Sequence, residues 1–361
     1  MKAAVIGTGG IAQTHAEALR MAGISIAAAV DVNADAARTY AEKWGVPVWG
    51  TDPALLYSPE IDCVHVCTPP NLHFELVRSL LEAGKHVLCE KPLCFDTQEA
   101  AALNRLAREK RIACAINLNV RFHMACQKAK QIISDPSFGR VLLVHGSYLQ
   151  EYHAFPAPDG WRYDEALAGK MRAVTEIGTH WMDIAQYLSG KRVTEVSAQF
   201  GCFHPIRYEK DGMMYAGNPD GSRRAKEVHS EDAALIQFRM EDGAIGSVVL
   251  SEVSPGHSNR LSLEITGENR NLWWNSEENN LLCTGVKGGG VNQEIFAFGN
   301  GFADTFRALV QQFYADIRSG AYTERPVYPT FEDGANIVAV CNAIYESATH
   351  NSAWIPTGST L

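Results

Sequence analysis

Short apolar runs alternate with amphipathic stretches over the first 120 residues. The apolar runs are 3–6, 26–30, 63–67, 86–89 and 113–116, and helical periodicity marks the stretches near 11–23, 34–44, 72–83 and 97–110. Strands that are apolar almost throughout are buried on both faces, and their alternation with helices is typical of βαβ units. The pattern predicts a doubly wound α/β domain with a parallel sheet over residues 1–120.

The periodicity changes after residue 120. Leu261, Leu263 and Ile265 alternate with polar residues, and Asp242-Gly243 separates two apolar runs as a hairpin turn would. Helical stretches lie near 122–134, 172–188, 302–318 and 331–348. We expect an α+β domain with a mostly antiparallel open sheet over residues 121–361, with the helix at 331–348 packing back on the first domain.

Composition and charge limit the classes of partner. The 361 residues are 46% hydrophobic, the net charge is −9, and no basic run is available to neutralise a phosphate backbone. The apolar stretches fall short of the roughly 18 residues that span a bilayer, and the first residues do not form a secretory signal. We expect a cytoplasmic protein that binds neither nucleic acid nor membranes. Nine cysteines without a Cys-x-x-Cys pair indicate buried thiols instead of a disulfide framework or a zinc ribbon.

A glycine-rich turn follows the first apolar run. Its sequence, Gly7-Thr8-Gly9-Gly10-Ile11-Ala12, matches G-x-G-x-x-A between a strand and a helix. Such a turn brings backbone N–H groups and the positive end of a helix to a pyrophosphate. A chance glycine turn is the alternative in a chain with 30 glycines. The position favours a dinucleotide, with Gly7, Gly9, Gly10 and Ile11 as its contacts.

Asp31 directly follows the second apolar run, 24 residues after Gly7. A carboxylate there can accept hydrogen bonds from the adenosine ribose hydroxyls. It would repel a 2′-phosphate by about 4 kcal/mol per unit-charge pair at about 4 Å and an effective dielectric near 20. No Arg or Lys follows before Arg38, one to two helical turns into the next helix. The sequence therefore favours NAD over NADP.

Two further turns follow apolar runs of the first domain. Ligands of open α/β sheets bind beyond the carboxyl ends of the strands, so both turns should line the cofactor crevice. A lone lysine is usually a solvated charge, but Lys91 is separated from the run 87–89 only by Glu90 and precedes Pro92. The candidate cofactor contacts in these turns are Thr68, Pro69, Asn71, His73, Glu90 and Lys91.

With these motifs the chain resembles the Gfo/Idh/MocA family over nearly its whole length. The resemblance rests on the Gly7 loop, the Thr68-Pro69 turn with His73, Glu90-Lys91-Pro92, 119–122 and 178–183. It implies an NAD(P)-dependent oxidoreductase acting on sugars or cyclitols, with Lys91 in the active site. Within the family, Trp161-Arg162, 172–174 and 254–260 resemble the branch that includes levoglucosan dehydrogenase. Two positions depart from the family pattern, Glu176 for a frequent Asp and Val120 for a frequent Tyr.

The helix predicted near 172–188 carries a polar ridge beside an apolar stripe. Ala173, Ile177, Trp181, Ile184 and Leu188 form the stripe, and Glu176, His180, Asp183 and Tyr187 form the ridge. The ridge could face a cleft, be solvated, or hold a core histidine satisfied by Glu176. Glu176, His180 and Asp183 could also ligate a metal, but no dedicated ligand spacing supports this, and we expect no metal.

These residues predict a mechanism in which a sugar or cyclitol alcohol gives its hydride to NAD. His180 is the expected general base and Glu176 its orienting carboxylate. Lys91 polarises the developing alkoxide, or shares the proton if burial lowers its pKa toward about 7–8. This mechanism requires Lys91 and His180 to converge beside the nicotinamide.

Several other side chains are candidates for substrate or cofactor binding. Tyr152 and Arg162 are the substrate candidates, and Asn119, Arg121, Trp161 and Arg162 are the additional cofactor candidates. His257 and Arg260 are weaker choices from another loop. For any one of these residues, an ordinary strand or loop position is nearly as good an explanation.

Other functions compatible with the same residues are a keto-sugar or imine reductase, glycoside cleavage through transient oxidation by held NAD, and a non-catalytic NAD(P)-binding regulator. A homodimer or homotetramer is expected because one face of the second sheet has no helix to cover it. Trp273-Trp274 would otherwise leave a large apolar surface exposed.

Overall fold

The computed structural model describes residues 1–299 and 301–358. The chain divides into two compact units. The first contains Met1–Phe122 and Gly301–Val338, and the second contains the described parts of His123–Asn300 and Ala339–Thr360.

The first unit is the predicted doubly wound α/β domain. Its six-stranded sheet has the order β3-β2-β1-β4-β5-β6 with every neighbouring pair parallel, the order of dinucleotide-binding folds. Its first ten elements are β1 (Lys2–Ile6), α1 (Gly10–Met21), β2 (Ser25–Val30), α2 (Ala34–Trp44), β3 (Val48–Gly50), β4 (Cys63–Val66), α3 (His73–Glu82), β5 (His86–Cys89), α4 (Thr97–Glu109) and β6 (Cys114–Ile116).

Local capping fixes where the helices of this unit begin and end. The Asn33 side chain accepts from the backbone N–H groups of Asp35 and Ala36 at the start of α2, and Gly45 ends α2 in the left-handed region. The Asp96 side chain caps α4 in the same way. These are the residue types that satisfy free N–H and C=O groups at helix ends. The strand β3 was not predicted, because three residues that are not fully buried give no apolar run.

The second unit is the predicted α+β domain. A nine-stranded sheet has the order β18-β17-β16-β15-β7-β14-β13-β9-β19, and within it only β14 and β7 pair in parallel among the described strands. A four-stranded sheet, β12-β10-β11-β8, stands apart from it. The elements in chain order are α5 (Met124–Ser134), β7 (Val141–Leu149), β8 (Ala157–Pro158), α6 (Glu165–Ala168), a π-helical turn (Val174–Gly178), α7 (Thr179–Ser189), β9 (Val193–Gly201), β10 (Ile206–Lys210), β11 (Met213–Tyr215), β12 (Arg224–Glu227), β13 (Ala233–Met240), β14 (Ile245–Ser251), β15 (Arg260–Gly267), β16 (Arg270–Asn275), β17 (Leu281–Val286) and β18 (Val291–Ile295), and β19 (Ile355–Pro356) closes the sheet.

Two long helices lie between β18 and β19, α8 (Phe302–Ser319) and α9 (Phe331–Thr349). Phe306, Leu309 and Phe313 of α8 are fully buried in one cluster with Ala12, Ala16 and Leu19 of α1. Residues 301–338 therefore belong to the first unit, which differs from a single boundary at residue 120. The sequence showed that α8 has one apolar face but not which surface that face covers.

The nine-stranded sheet has one face built for burial and one with exposed apolar side chains. Ile236 and Phe238 of β13 are buried, whereas Leu235, Ile245 and Val249 on β13 and β14 are exposed. Asp242 and Gly243 connect these strands with positive φ angles, as predicted for the hairpin. The expectation for Trp274 was wrong, because Trp274 is only 4% exposed and its ring packs on His123.

Two further sequence expectations concern cysteines and membrane spans. Eight of the nine cysteines are buried and Cys202 is exposed. Among the residues that the structure describes, no helix combines the length and apolarity that a bilayer crossing requires.

Candidate active site

The glycine loop has the geometry of a phosphate cradle. Gly7 has φ +82°, and a Cβ atom at this position would lie 2.7 Å from the carbonyl carbon and oxygen of Cys67. Gly9 precedes α1 and Gly10 is its first residue, and a Cβ on either would meet nothing within 4 Å. The backbone thus turns tightly at Gly7 and is open where the N–H groups of α1 begin.

Asp31 is fixed against this loop. Its Oδ2 accepts hydrogen bonds from the backbone N (2.7 Å) and Oγ1 (2.9 Å) of Thr8, and its Oδ1 accepts from the backbone N of Asn33 (2.9 Å). The carboxylate is therefore oriented before any ligand binds. Ile11, another candidate cofactor contact, is partly buried and packs against the hydrophobic core of the first unit.

The turns after β4 and β5 are joined by His73. Its Nδ1 lies 2.8 Å from the carbonyl oxygen of Pro92 and its Nε2 lies 3.0 Å from that of Thr68. The Thr68 hydroxyl oxygen is buried without a hydrogen-bond partner in the described part of the chain, which leaves it available to a ligand. Asn71 is exposed, Pro69 is partly buried, and Lys91 is partly buried at the end of β5.

Glu90, Asn119 and Arg121 have internal polar partners. Glu90 is buried, accepts from Nδ2 of Asn117 at 2.6 Å, and lies 3.0 Å from Nε2 of His15. Asn119 donates to Oγ1 of Thr305 at 2.8 Å. Arg121 forms a 2.9 Å ion pair with Asp333. These contacts join the ends of β5 and β6 to α1, α8 and α9 inside the first unit.

In the second unit, Glu176 and His180 lie four residues apart on one continuous helical segment. Glu176 lies in the π-helical turn, and His180 and Asp183 lie in α7 and are buried. The apolar stripe is buried as predicted. A π turn closes one residue later than an α turn, so the equal angular spacing expected for Glu176, His180 and Asp183 does not hold across it.

Glu176 and Arg162, two of the candidate substrate contacts, form a hydrogen bond with each other. Nε of Arg162 donates to Oε2 of Glu176 at 3.1 Å, and its guanidinium carbon lies 4.7 Å from the ring centroid of Trp161. Tyr152 is 45% exposed, and its ring packs edge-on against His153. His257 lies 3.3 Å from Oε2 of Glu277, and Arg260 is partly buried in β15.

A buried charge cluster that the sequence did not reveal lies behind Glu176. Nε2 of His153 is 4.0 Å from Oε2 of Glu176 and 3.5 Å from Oε2 of Glu252. Arg172 donates to Glu252 at 3.1 Å and also pairs with Asp232, which Arg207 contacts at 2.9 Å. From the aromatic-rich segment at 148–153 the sequence analysis selected Tyr152, but the residue of this segment that joins the buried cluster is His153. Glu176 and Glu252, the carboxylates next to His153, lie too far away in sequence to be recognised as its neighbours.

His153, Glu176 and Glu252 offer ligand atoms within 4.8 Å of one another, a spacing that could hold a metal ion. Arg162 and Arg172, however, already donate to Oε2 of the two glutamates. Two guanidinium groups at these carboxylates would repel a divalent cation. The donor set therefore fits proton transfer and hydrogen bonding better than metal binding.

Glu231 anchors the start of the π-helical turn and makes the stability of this unit depend on pH. Its carboxylate accepts from the backbone N of Arg172 (3.1 and 3.0 Å) and of Val174 (2.8 Å), and burial raises its pKa from 4.5 to about 7. The folded state therefore holds a proton that the unfolded state releases, so the free energy of unfolding should fall as pH rises from about 4.5 to about 7.

This decline should become shallower by about 1 kcal/mol per pH unit in Glu231→Gln, because the amide oxygen still accepts but does not titrate. Urea unfolding of both proteins between pH 4.5 and 8 checks this. Parallel curves over that range would show that Glu231 keeps its ordinary pKa.

The chain matches two domain models of one family. Residues 1–118 match "Oxidoreductase family, NAD-binding Rossmann fold", and residues 126–272 match "GFO/IDH/MocA C-terminal domain". Together the two matches cover most of the chain, and their order agrees with the two kinds of sheet described above.

Curated relatives are similar over nearly the full length. Levoglucosan dehydrogenase of Pseudarthrobacter phenanthrenivorans is 29% identical over 347 residues, covering 90% of this chain and 86% of the relative. Myo-inositol 2-dehydrogenase of Thermotoga maritima is 28% identical over 338 residues, covering 92% of both chains.

Solved structures give the same assignment. A levoglucosan dehydrogenase in complex with NADH and L-sorbose superposes with a TM-score of 0.90 at 26% identity, covering 99% of this chain and 98% of the other. The glycine loop, the parallel sheet and the open second sheet are thus parts of a known enzyme architecture. The chain belongs to the Gfo/Idh/MocA family of NAD-binding oxidoreductases.

Proposed function

We propose that this protein is an NAD-dependent dehydrogenase that oxidises a secondary alcohol of a sugar, an anhydrosugar or a cyclitol. The observation that carries the proposal is the arrangement of residues at the carboxyl ends of three neighbouring strands of the first sheet. There Gly7, Thr68 and Lys91 follow the carboxyl ends of the adjacent strands β1, β4 and β5 within two residues. Relatives named for levoglucosan and myo-inositol support this substrate class.

The residues at these strand ends fit a dinucleotide. The open backbone at Gly9 and Gly10 suits the pyrophosphate, the oriented carboxylate of Asp31 suits the ribose hydroxyls, and the buried Thr68 hydroxyl is available for a hydrogen bond. When bound, NAD accepts the carbinol hydrogen together with its electron pair. The protein must bind the alcohol, take its proton and stabilise the negative charge on its oxygen.

We assign the proton to His180 and the charge to Lys91. As hydride leaves the carbinol carbon, the hydroxyl proton passes to the neutral imidazole of His180, and the C–O bond becomes a carbonyl. The Lys91 ammonium donates a hydrogen bond to the developing alkoxide. Glu176 serves as the orienting carboxylate for the imidazole.

Substrate hydroxyls are assigned to the Arg162–Glu176 pair, with the exposed ring of Tyr152 as an apolar platform. A paired guanidinium and carboxylate offer donors and acceptors on neighbouring atoms, which suits a polyol. The ring of Trp161 beneath Arg162 holds the guanidinium in place.

Asp31 should set the preference for NAD over NADP. Asp31→Asn keeps an oxygen that can accept from Thr8 but removes the charge that repels a 2′-phosphate. We expect kcat/KM with NADP, relative to NAD, to rise by about tenfold or more. Asp35→Asn, which changes an exposed carboxylate at the start of α2, is the matched control. An unchanged cofactor ratio in Asp31→Asn would remove Asp31 from cofactor selection.

A screen of sugars, anhydrosugars and inositols with NAD and NADP, reading absorbance of the reduced cofactor, tests the function. We expect reduction of NAD by at least one compound. If only keto sugars react, with oxidation of NADH, the enzyme works as a reductase. If the protein binds NAD but turns over nothing, it is a cofactor-binding regulator.

We further propose that the protein forms a homodimer or homotetramer through the exposed face of the nine-stranded sheet. The exposed side chains of Leu235, Ile245 and Val249 form its apolar part. Sedimentation velocity should show an oligomer that Leu235→Lys weakens, and a monomeric wild type at micromolar concentration would contradict this.

A further inference from the structure

A chain of buried polar side chains leads from Glu90 into the core of the first unit. Nε2 of His15 lies 3.0 Å from Oε1 of Glu90, and Nδ1 of His15 lies 2.7 Å from Nδ1 of His65. Nε2 of His65 lies 3.0 Å from the hydroxyl of Tyr314. Both histidines and Tyr314 are fully buried. None of these three side chains has a place in the mechanism above.

Hydrogen-bond chemistry allows only one direction along this chain when Glu90 is ionised and both histidines are neutral. The Glu90 carboxylate can only accept, so Nε2 of His15 carries the proton and its Nδ1 accepts. Nδ1 of His65 must then be the donor, and its Nε2 accepts from the hydroxyl of Tyr314. A protonated Glu90, or an imidazolium at His15, would make Nδ1 of His15 the donor to His65, so the charges of Glu90 and His15 and the tautomer of His65 are linked.

The electrostatic surroundings favour the ionised carboxylate. Burial alone would raise the pKa of Glu90, but the hydrogen bond and charge of His15, the hydrogen bond from Asn117 and the charge of Lys91 outweigh it and lower the pKa. Burial lowers the pKa of His65 well below its usual value and raises that of Tyr314 well above it. Cys67, Cys89 and His73 also interact electrostatically with Glu90.

We propose that His15, His65 and Tyr314 are positioning residues that hold Glu90 as an oriented carboxylate, whose negative charge keeps the adjacent Lys91 in its ammonium form. Lys91 is then a charged hydrogen-bond donor to the alkoxide and not a base, and the substrate proton goes to His180 alone. The part concerning Lys91 rests on the proposed function. The part concerning the tautomers does not.

The first test reads the tautomers directly. Nitrogen-15 NMR of the protein labelled at its 12 histidines, with assignments from His15→Gln and His65→Gln, reports which ring nitrogens carry protons. We expect a proton on Nε2 of His15 and on Nδ1 of His65, and a neutral ring at His65, whose pKa burial lowers. The opposite tautomers, or an imidazolium at either position, would overturn the proposal.

The second test is the pH dependence of kcat/KM. In Glu90→Gln the alkaline limit of activity should move to lower pH by about one to two units, because an opposite charge near Lys91 is lost. Tyr314→Phe should move it in the same direction by less. Tyr328→Phe is the control. The Tyr328 side chain is also buried in the first unit, but its hydroxyl donates to Asp316, which is not part of this hydrogen-bond chain, so the pH dependence of kcat/KM should stay unchanged.

The two tests separate failure of this proposal from failure of the proposed function. An alkaline limit in Glu90→Gln that matches the wild type would overturn the link to Lys91 even in an active enzyme. Inactivity of the wild type on every sugar would overturn the proposed function. The NMR measurement needs no substrate, so it would still decide which groups donate and which accept in the hydrogen bonds from Glu90 to Tyr314.

Discussion

Replacing Lys91 by alanine should lower kcat by about a hundredfold to ten-thousandfold while leaving NAD binding nearly unchanged. The reason is that the ammonium stabilises charge on the substrate oxygen, which exists fully only in the transition state. Lys91 lies at the end of β5, two strands from the glycine loop in sheet order. Its loss should therefore affect chemistry more than cofactor affinity.

Steady-state kinetics with the best substrate of the screen, together with NAD titration by intrinsic fluorescence, measure the two effects separately. Lys91→Arg should recover only part of the rate, because a planar guanidinium keeps the charge but not the point geometry of an ammonium. Lys110→Ala, at an exposed position after α4, is the control for loss of a lysine. If Lys91→Ala turned over within a few-fold of the wild type, Lys91 would have no role in the chemical step.

Gly7→Ala should abolish NAD binding and destabilise the first unit. The substitution places a methyl group 2.7 Å from backbone atoms of Cys67 at a φ of +82°, so neither the side chain nor the loop can move aside cheaply. Left-handed backbone costs about 1 kcal/mol for alanine, and the backbone clash should raise the total loss to about 3–4 kcal/mol.

Gly84→Ala separates the two contributions. Gly84 has φ +77°, but a Cβ there meets nothing within 4 Å, so this variant has the backbone strain without the clash. Urea unfolding should show a loss of about 1 kcal/mol for Gly84→Ala and unchanged NAD affinity. Equal stability losses in the two variants would mean that the loop yields at Gly7 and that the close packing against β4 is unimportant.

Long elements of this fold could be predicted from the sequence, whereas short, partly exposed elements and the contacts between elements could not. Helices such as α4 and α8 were predicted because more than three turns of apolar periodicity leave a clear pattern. The strand β3 was missed because three partly exposed residues carry no such pattern. The burial of Phe306 and Phe313 against α1 was not foreseen, since an apolar face does not identify its partner.

The candidate site divides in the same way. Gly7, Asp31 and Lys91 could be selected from the sequence because each follows a predicted strand, and the position of a residue after a strand determines where it lies in the fold. His153, Glu176 and Glu252 come from distant segments, and only folding brings them within reach of one another. His15 and His65 are single polar residues within apolar surroundings, and their mutual contact follows from the packing of α1 on β4 and not from any spacing in the sequence. The π turn at 174–178 likewise has no sequence signal that we could use.

Transfer of a labelled hydride tests the central claim most directly. A sugar or cyclitol that passes the screen, deuterated at its carbinol carbons, is incubated with the enzyme and NAD, and the reduced cofactor is analysed by mass spectrometry and proton NMR. We predict one deuterium per NADH, located at C4 of the nicotinamide, with formation slowed strongly in Lys91→Ala and in His180→Ala. Reduced cofactor without deuterium, or wild-type rates of transfer in both variants, would contradict the account.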